Sequence, residues 1–402
     1  MWCGALAACA GSSVSASTSK PTRGAATSGQ SQKNSEFAQN SEFAAVAESP
    51  HAAVGPREDP DEQTLSDACG EADAALIAVA KRLADRRSEV SGELDVDAIS
   101  YALRAAGAPY VWPRAWLFNG AEGELEAAKT RMRRWLSGFS DGGVRRCGVT
   151  VRHEGNARLS VAAVAVDVLA DLEPLPTRAR IGQWVEVRAA LRVPASEAKL
   201  VVLGPRGAPR SVPTSFDEGR VRARFNADTA GPWLVQLLAS VDGGPRPLLE
   251  ALIFAGVEPP RNAAISKAPG EDAHDTAGDP RAALYAMVDA ARASEHVAPL
   301  TRDAMLEALA QQHAEAMRQA RRTAHDAGDG DLIQRLERAG LELVAGENVA
   351  HAGTAVLAQR ALWASPSHRE NLLFRGFDAL GIGVAADADG TLWVCQVFAS
   401  TH

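Results

Sequence analysis

Between residues 62 and 137 the apolar positions recur at three- and four-residue spacing, first as Leu76, Val79, Ala80 and Leu83. The same period continues as Ile99, Leu103 and Ala106, stopping at Gly107, and again as Leu125, Ala128, Met132, Trp135 and Leu136. This is the period of amphipathic helices. The pattern then changes: Cys147 to Val151 and Leu159 to Val168 are β-branched and partly alternating, with turn residues at 153–158 between them. They read as two strands, and 62–170 is expected to be a helix-rich α+β domain.

Strand-like runs follow at Trp184 to Val193, Ala198 to Leu203, Arg220 to Phe225, Trp233 to Ser240 and Leu248 to Phe254, separated by Gly and Pro turns. Short strands with regular turn punctuation predict an antiparallel β-sandwich of immunoglobulin-like type over 171–257, whose plainest role is a spacer. Residues 258–279, rich in Pro, Ala, Asp and Gly, read as a linker. A last domain over 280–402 opens with a helix whose apolar face carries Leu284, Met287, Val288 and Ala291. A second helix, capped near Thr301, has the stripe Leu306, Leu309, Ala310, His313 and Met317, which places a histidine among core-facing residues. Helices at 332–339, stopping at Gly340, and at 354–364, ending before Pro366, precede strands at 379–386 and 391–398 joined by a turn at 387–390.

A chain of 402 residues is too long for one ordinary core, so several domains are expected. No stretch of about 18 apolar residues is present, which excludes a membrane-spanning helix. The formal net charge of −8 argues against a nucleic-acid binder, because phosphate affinity needs clustered Lys and Arg. The five cysteines are too few for a disulfide scaffold, and none forms a CxxC pair. Cys69 and Cys147 are candidates for one bridge if their Cα atoms approach to roughly 4.4–6.8 Å.

Leu6-Ala7-Ala8-Cys9 followed by Ala10-Gly11-Ser12-Ser13 resembles a bacterial lipobox, in which the cysteine is acylated. Only eight residues precede Cys9, fewer than a full secretory signal needs, so residues 1–9 read as the remnant of a lipoprotein signal whose start lies upstream. Residues 10–61 are rich in Ser, Ala, Gly, Thr and Gln and bury too little apolar surface to offset the entropy of ordering. They are expected to form a disordered tether, giving a lipid-anchored protein of the cell envelope or exterior whose only membrane contact is that anchor.

His325, Gly346-Glu347-Asn348-Val349-Ala350, Trp363-Ala364-Ser365-Pro366-Ser367-His368-Arg369-Glu370-Asn371-Leu372-Leu373, Gly381-Ile382-Gly383-Val384 and Trp393-Val394-Cys395-Gln396-Val397-Phe398 occur in the order and spacing of the CAP superfamily. That family groups cysteine-rich secretory proteins, antigen 5 and plant pathogenesis-related proteins with bacterial secreted and lipoprotein members. The resemblance covers about 120 residues and implies an α-β-α sandwich with a cavity of two histidines and one or two acids. By motif, His325 and His368 match the cavity histidines and Glu347 the first acid. The second acid of the family is replaced by Pro366.

From residue chemistry alone, two imidazoles and a carboxylate suit zinc or a similar divalent ion and leave an open coordination position. Equally, they suit a hydrogen-bonded network that shapes a cleft. The separations of 22 and 21 residues fix no metal geometry, and His313 ranks below the other three. Ser367 and Glu370 fit a capping box that would start a helix at His368. Gly381 to Ala386 matches a dinucleotide fingerprint but lies in a strand, and its glycines fit close backbone packing. Residues 94–107 resemble 331–340, Trp135 resembles Trp363, and Arg146 to Val149 resemble Leu380 to Val384, so the N-terminal domain reads as a degenerate copy of the same fold.

The sequence therefore points to a binding module that holds a lipid, glycan or peptide at the cell surface through His325, Glu347, His368 and the lower-ranked His313. The competing expectations are a metal-assisted hydrolase with Glu347 as base, and a structural or adhesive surface protein.

Overall fold

The computed structural model describes residues 54, 59–86, 96–138, 142–154, 157–242, 244–260, 267–273 and 278–401. Cys9, the signal remnant and nearly all of the expected tether lie outside them. None of the described helices is long and apolar enough to cross a membrane.

The first domain runs α1 (Pro60–Cys69), β1 (Glu71–Ala72), α2 (Ala74–Arg86), α3 (Val96–Ala105), β2 (Arg114–Ala121), α4 (Leu125–Ser137), β3 (Val144–Glu154) and β4 (Arg158–Val168). Strand β2 corrects the all-helical reading of 62–137. It pairs antiparallel with β4 along its full length, and that ladder outweighs the helical periodicity on either side. Cys69 and Cys147 are joined by a disulfide with Cα atoms 5.9 Å apart.

The central region has two sheets, ordered β10-β11-β7-β5 and β6-β13-β12-β8-β9. Its strands are β5 (Ala170–Leu172), β6 (Arg178–Ala179), β7 (Gln183–Leu191), β8 (Glu197–Leu203), β9 (Arg210–Val212), β10 (Thr214–Asp217), β11 (Arg220–Ala227), β12 (Gly231–Val241) and β13 (Gly244–Ala255). Alternate residues of both sheets, among them Val187, Phe225, Val202 and Leu237, meet in one core, which makes this region a β-sandwich. The expected linker is not free along its length. Ala268 is buried in the core of the last domain, and Glu271 forms a two-pronged ion pair with Arg360.

The last domain runs α5 (Pro280–Ser294), β14 (Thr301–Arg302), α6 (Ala304–Ala320), α7 (Leu332–Arg338), β15 (Val344–Ala352), α8 (Ala355–Ala364), α9 (Pro366–Leu373), β16 (Ala379–Ala386) and β17 (Leu392–Ser400). Its sheet is ordered β14-β16-β17-β15. Val394 and Phe398 of β17 pack under α5 and α8, while Cys395 and Val397 pack under α6 and α7. The result is three layers, helix over sheet over helix. Thr301 does not cap α6. Its backbone belongs to β14, and Asp303 caps the helix by accepting from the N–H groups of Met305 and Leu306.

The first and last domains share one frame. Each sheet has the same strand order, beginning with a two-residue strand parallel to its neighbour. Asp73 caps α2 through Ala75 and Leu76 just as Asp303 caps α6. The Asp73 N–H reaches the Cys147 carbonyl at 2.9 Å, and the Asp303 N–H reaches that of Leu380 at 3.0 Å. Cys147 therefore corresponds to Leu380, one residue off the pairing that the sequence suggests. Immediately after each comes a glycine on which the helix backbone rests. A Cβ on Gly148 would lie 2.0 Å from the Leu76 carbonyl carbon, and one on Gly381 would lie 2.1 Å from that of Leu306. Gly148→Ala and Gly381→Ala are each expected to cost about 1–3 kcal/mol, since a packed helix must move. Denaturant unfolding checks this; a loss at only one of the two glycines would mean the frames are not equivalent.

Candidate binding cleft

Glu347 lies in the middle of β15 with its side chain only 2% exposed. A carboxylate so buried needs partners, and three elements supply them. His325, in the loop after α6, approaches Oε1 with Nδ1 at 2.8 Å. Arg335 of α7 donates through Nη2 to Oε2 at 2.6 Å, and Cys395 of β17 donates its Sγ hydrogen to Oε2 at 3.4 Å. Burial by itself would raise the Glu347 carboxyl. The hydrogen bond from His325 and the positive charge of Arg335 outweigh it and hold the group at about 2. An ionised carboxylate only accepts, so His325 Nδ1 carries the hydrogen and its other ring nitrogen remains for a ligand. Burial pushes the Cys395 thiol up, and the neighbouring Glu347 adds to the effect.

His368 sits in the first turn of α9, half-buried, and Asn348 donates to its backbone carbonyl at 3.1 Å. Burial, with the nearby charge of His325, holds its imidazole down at about 3, so it is neutral across the physiological range. The structure thus brings His325, Glu347 and His368 into one neighbourhood. His313 is different: it is fully buried, with Nδ1 2.9 Å from Asp329 and Nε2 2.9 Å from the Ala324 carbonyl. Both ring nitrogens are spent on internal oxygens, and the residue holds the His325 loop against α6.

One sequence expectation changes at the start of α9. Ser367 and Glu370 form no capping box, because α9 starts two residues earlier with Pro366 at its first position and Ser365 as the N-cap residue. Glu370 turns instead to Lys199 and Ser211 of the sandwich. Pro366, standing where the family has its second acid, is buried and offers no ligand atom. Glu347 is also not free to ligate zinc. Both of its oxygens are engaged, one by His325 and one by the Arg335 guanidinium. Among the described residues, the one group of three acid and imidazole side chains close enough to share an ion is Asp59, Asp61 and His153, in the first domain.

Arg335 is the residue that sequence reasoning misses. It belongs to a helix of ordinary charge pattern, and its only signal is that a lone buried acid needs a cation. Asn348, Asn371, Gln396 and Gln359 are also missed as a group. They form a buried amide chain that ties β15, β17, α8 and α9 together behind Glu347.

In the first domain the register places Ala115 opposite Val164, as Glu347 stands opposite Val397. Leu83 follows the Asp73 cap by the same interval that His313 follows Asp303. Ala115 and Leu83 thus stand where Glu347 and His313 stand in the last domain.

Residues 285–397 match the CAP family, the cysteine-rich secretory protein family. An outer surface protein from Borrelia burgdorferi is 22% identical over 32% of this chain and 96% of its own, with a TM-score of 0.29. An extracellular protein containing a SCP domain from Bacillus anthracis str. Ames is 15% identical over 58% of this chain and 86% of its own, with a TM-score of 0.28. A cysteine-rich secretory protein from Staphylococcus aureus is 12% identical over the same shares, with a TM-score of 0.26. No curated protein matches the chain. Over residues 285–397, which hold the buried acid and its histidines, the chain carries a CAP domain.

Proposed function

We propose that the protein is a bacterial envelope or extracellular binding protein, lipid-anchored at Cys9, whose CAP domain holds a polar ligand, a glycan or a peptide, between His325 and His368. The observation that carries this reading is the Glu347–Arg335 ion pair. It neutralises the acid internally, so the carboxylate orients His325 and is not free to act as a base. Two imidazoles then remain to donate to and accept from a ligand. A lipid fits this hydrogen-bonding surface less well. The Cys69–Cys147 disulfide supports a location outside the reducing cytoplasm. In this reading the sandwich is immunoglobulin-like, and the first domain is a degenerate CAP copy with a structural role, consistent with Ala115 and Leu83 in the places of Glu347 and His313.

The test uses the full chain and its His325→Ala, His368→Ala double variant, titrated calorimetrically with neutral oligosaccharides, short peptides and phospholipid vesicles. Oligosaccharide or peptide binding is expected, weakened at least about tenfold in the variant, a loss of about 1.4 kcal/mol. Undiminished binding by the variant, or binding to vesicles alone, rejects this reading.

A further inference from the structure

Helix α9, which carries His368, begins without a cap of its own. The Ser365 side chain makes no bond to the first N–H groups of the helix, and Pro366 at its first position has no N–H to offer. The acceptor comes from another domain. Gln236, on β12 of the sandwich and fully buried, accepts from the Ser367 N–H through Oε1 at 3.0 Å. Its Nε2 donates to Ser365 Oγ at 3.3 Å and to Glu250 Oε1 at 2.6 Å. Glu250 Oε2 in turn meets Arg104 of α3, in the first domain, at 2.5 Å.

The same helix is gripped again further along. Glu370 pairs with Lys199 Nζ at 2.7 Å and accepts from Ser211 Oγ at 2.6 Å. On its other side, Asn371 donates to the Glu347 carbonyl at 3.1 Å and to Asn348 Oδ1 at 2.9 Å. The helix is therefore a slat held between the sandwich and the strand bearing the buried acid. The sandwich also reaches the second histidine, because a Cβ built on Gly244, at the start of β13, would lie 3.0 Å from His325 Cβ.

We propose that the sandwich is a wall of the CAP cleft, and that Gln236 is a positioning residue which caps, from outside the domain, the helix that presents His368. The cleft is then completed by the sandwich, which is more than the spacer its sequence suggests. The proposal rests on the binding reading only for what the positioning is for; the positioning is measured without a ligand.

The experiment takes the full chain with Gln236→Met, which keeps volume and removes the acceptor, and with the exchanged pair Gln236→Glu and Glu250→Gln, which restores one. Amide hydrogen exchange of Ser367 to Leu373 and the His368 ring proton–carbon NMR signal are read in each. Gln236→Met should speed exchange in that helix about tenfold, within the range of a lost cap, and shift the His368 signal. Exchange in Leu392 to Ser400 and the signal of His351 should stay as they are, and the exchanged pair should return both readouts toward wild type. Unchanged exchange in the helix, or equal acceleration through the whole sheet, overturns the proposal. If Gln236→Met does not fold, Lys199→Met with Ser211→Ala loosens the same helix from its accessible side. That pair must speed exchange from Glu370 to Leu373, and no change there is equally fatal. A ligand panel without hits would reject the binding reading and leave these exchange results standing.

Discussion

Arg335→Met is expected to cost about 3–5 kcal/mol at neutral pH, because it strands the Glu347 carboxylate in a site where both partners are almost wholly buried. Methionine keeps the packing of the stem, so the loss reports the charge and not a cavity. Adding Glu347→Gln to the same chain should recover most of it, since a neutral amide no longer needs the guanidinium. The pH dependence has a definite sign. Glu347 is held at about 2 against an ordinary value of 4.5, so the pair contributes its full stability above about pH 4.5 and loses it as the pH falls toward 2. The gap between wild type and Arg335→Met should therefore be widest at pH 7 and close over that acid window. Urea unfolding at pH 7 and pH 3 measures both. A deficit under 1 kcal/mol at pH 7, or an equal one at pH 3, would show that the pair does not hold the cleft together.

The Cys69→Ala, Cys147→Ala double variant is expected to lose about 2–5 kcal/mol. The bridge closes a long loop, with 78 residues of separation, and joins the last residue of α1 to an interior strand of the sheet. Removing it frees the unfolded chain between the two cysteines, the stretch that folds into α2, α3 and α4. Denaturant unfolding of wild type with and without reductant should reproduce the loss seen in the variant. Identical midpoints in the two conditions would mean the two thiols are not bridged.

His325, Glu347 and His368 are readable from sequence because each sits in a short motif with its own local geometry. The helix stripes of α5 and α6 and the strands β16 and β17 are readable for the same reason, one periodic face against one core. Strands β2 and β15 are not, because each is an edge strand whose pairing comes from residues far along the chain. Arg335 and Gln236 escape for a related cause. Their partners lie twelve and more than a hundred residues away, and nothing within either segment distinguishes a cation or an amide that is buried from one that is solvated. The capping box at Ser367 misleads because local spacing fits it, while Pro366 and the pull of Lys199 on Glu370 decide the helix start differently.

The paired frames separate what stacks the layers from what fills the interior. In both, an aspartate holding the start of a helix and a bare strand position beneath that helix lock the same layers together. Where one has Glu347 and His313, the other has Ala115 and Leu83. Architecture and chemistry are thus written in separate residues. The lock is the same whether the strand residue opposite the shared valine is Glu347 or Ala115, so the stacking of these layers does not need an acid at that place.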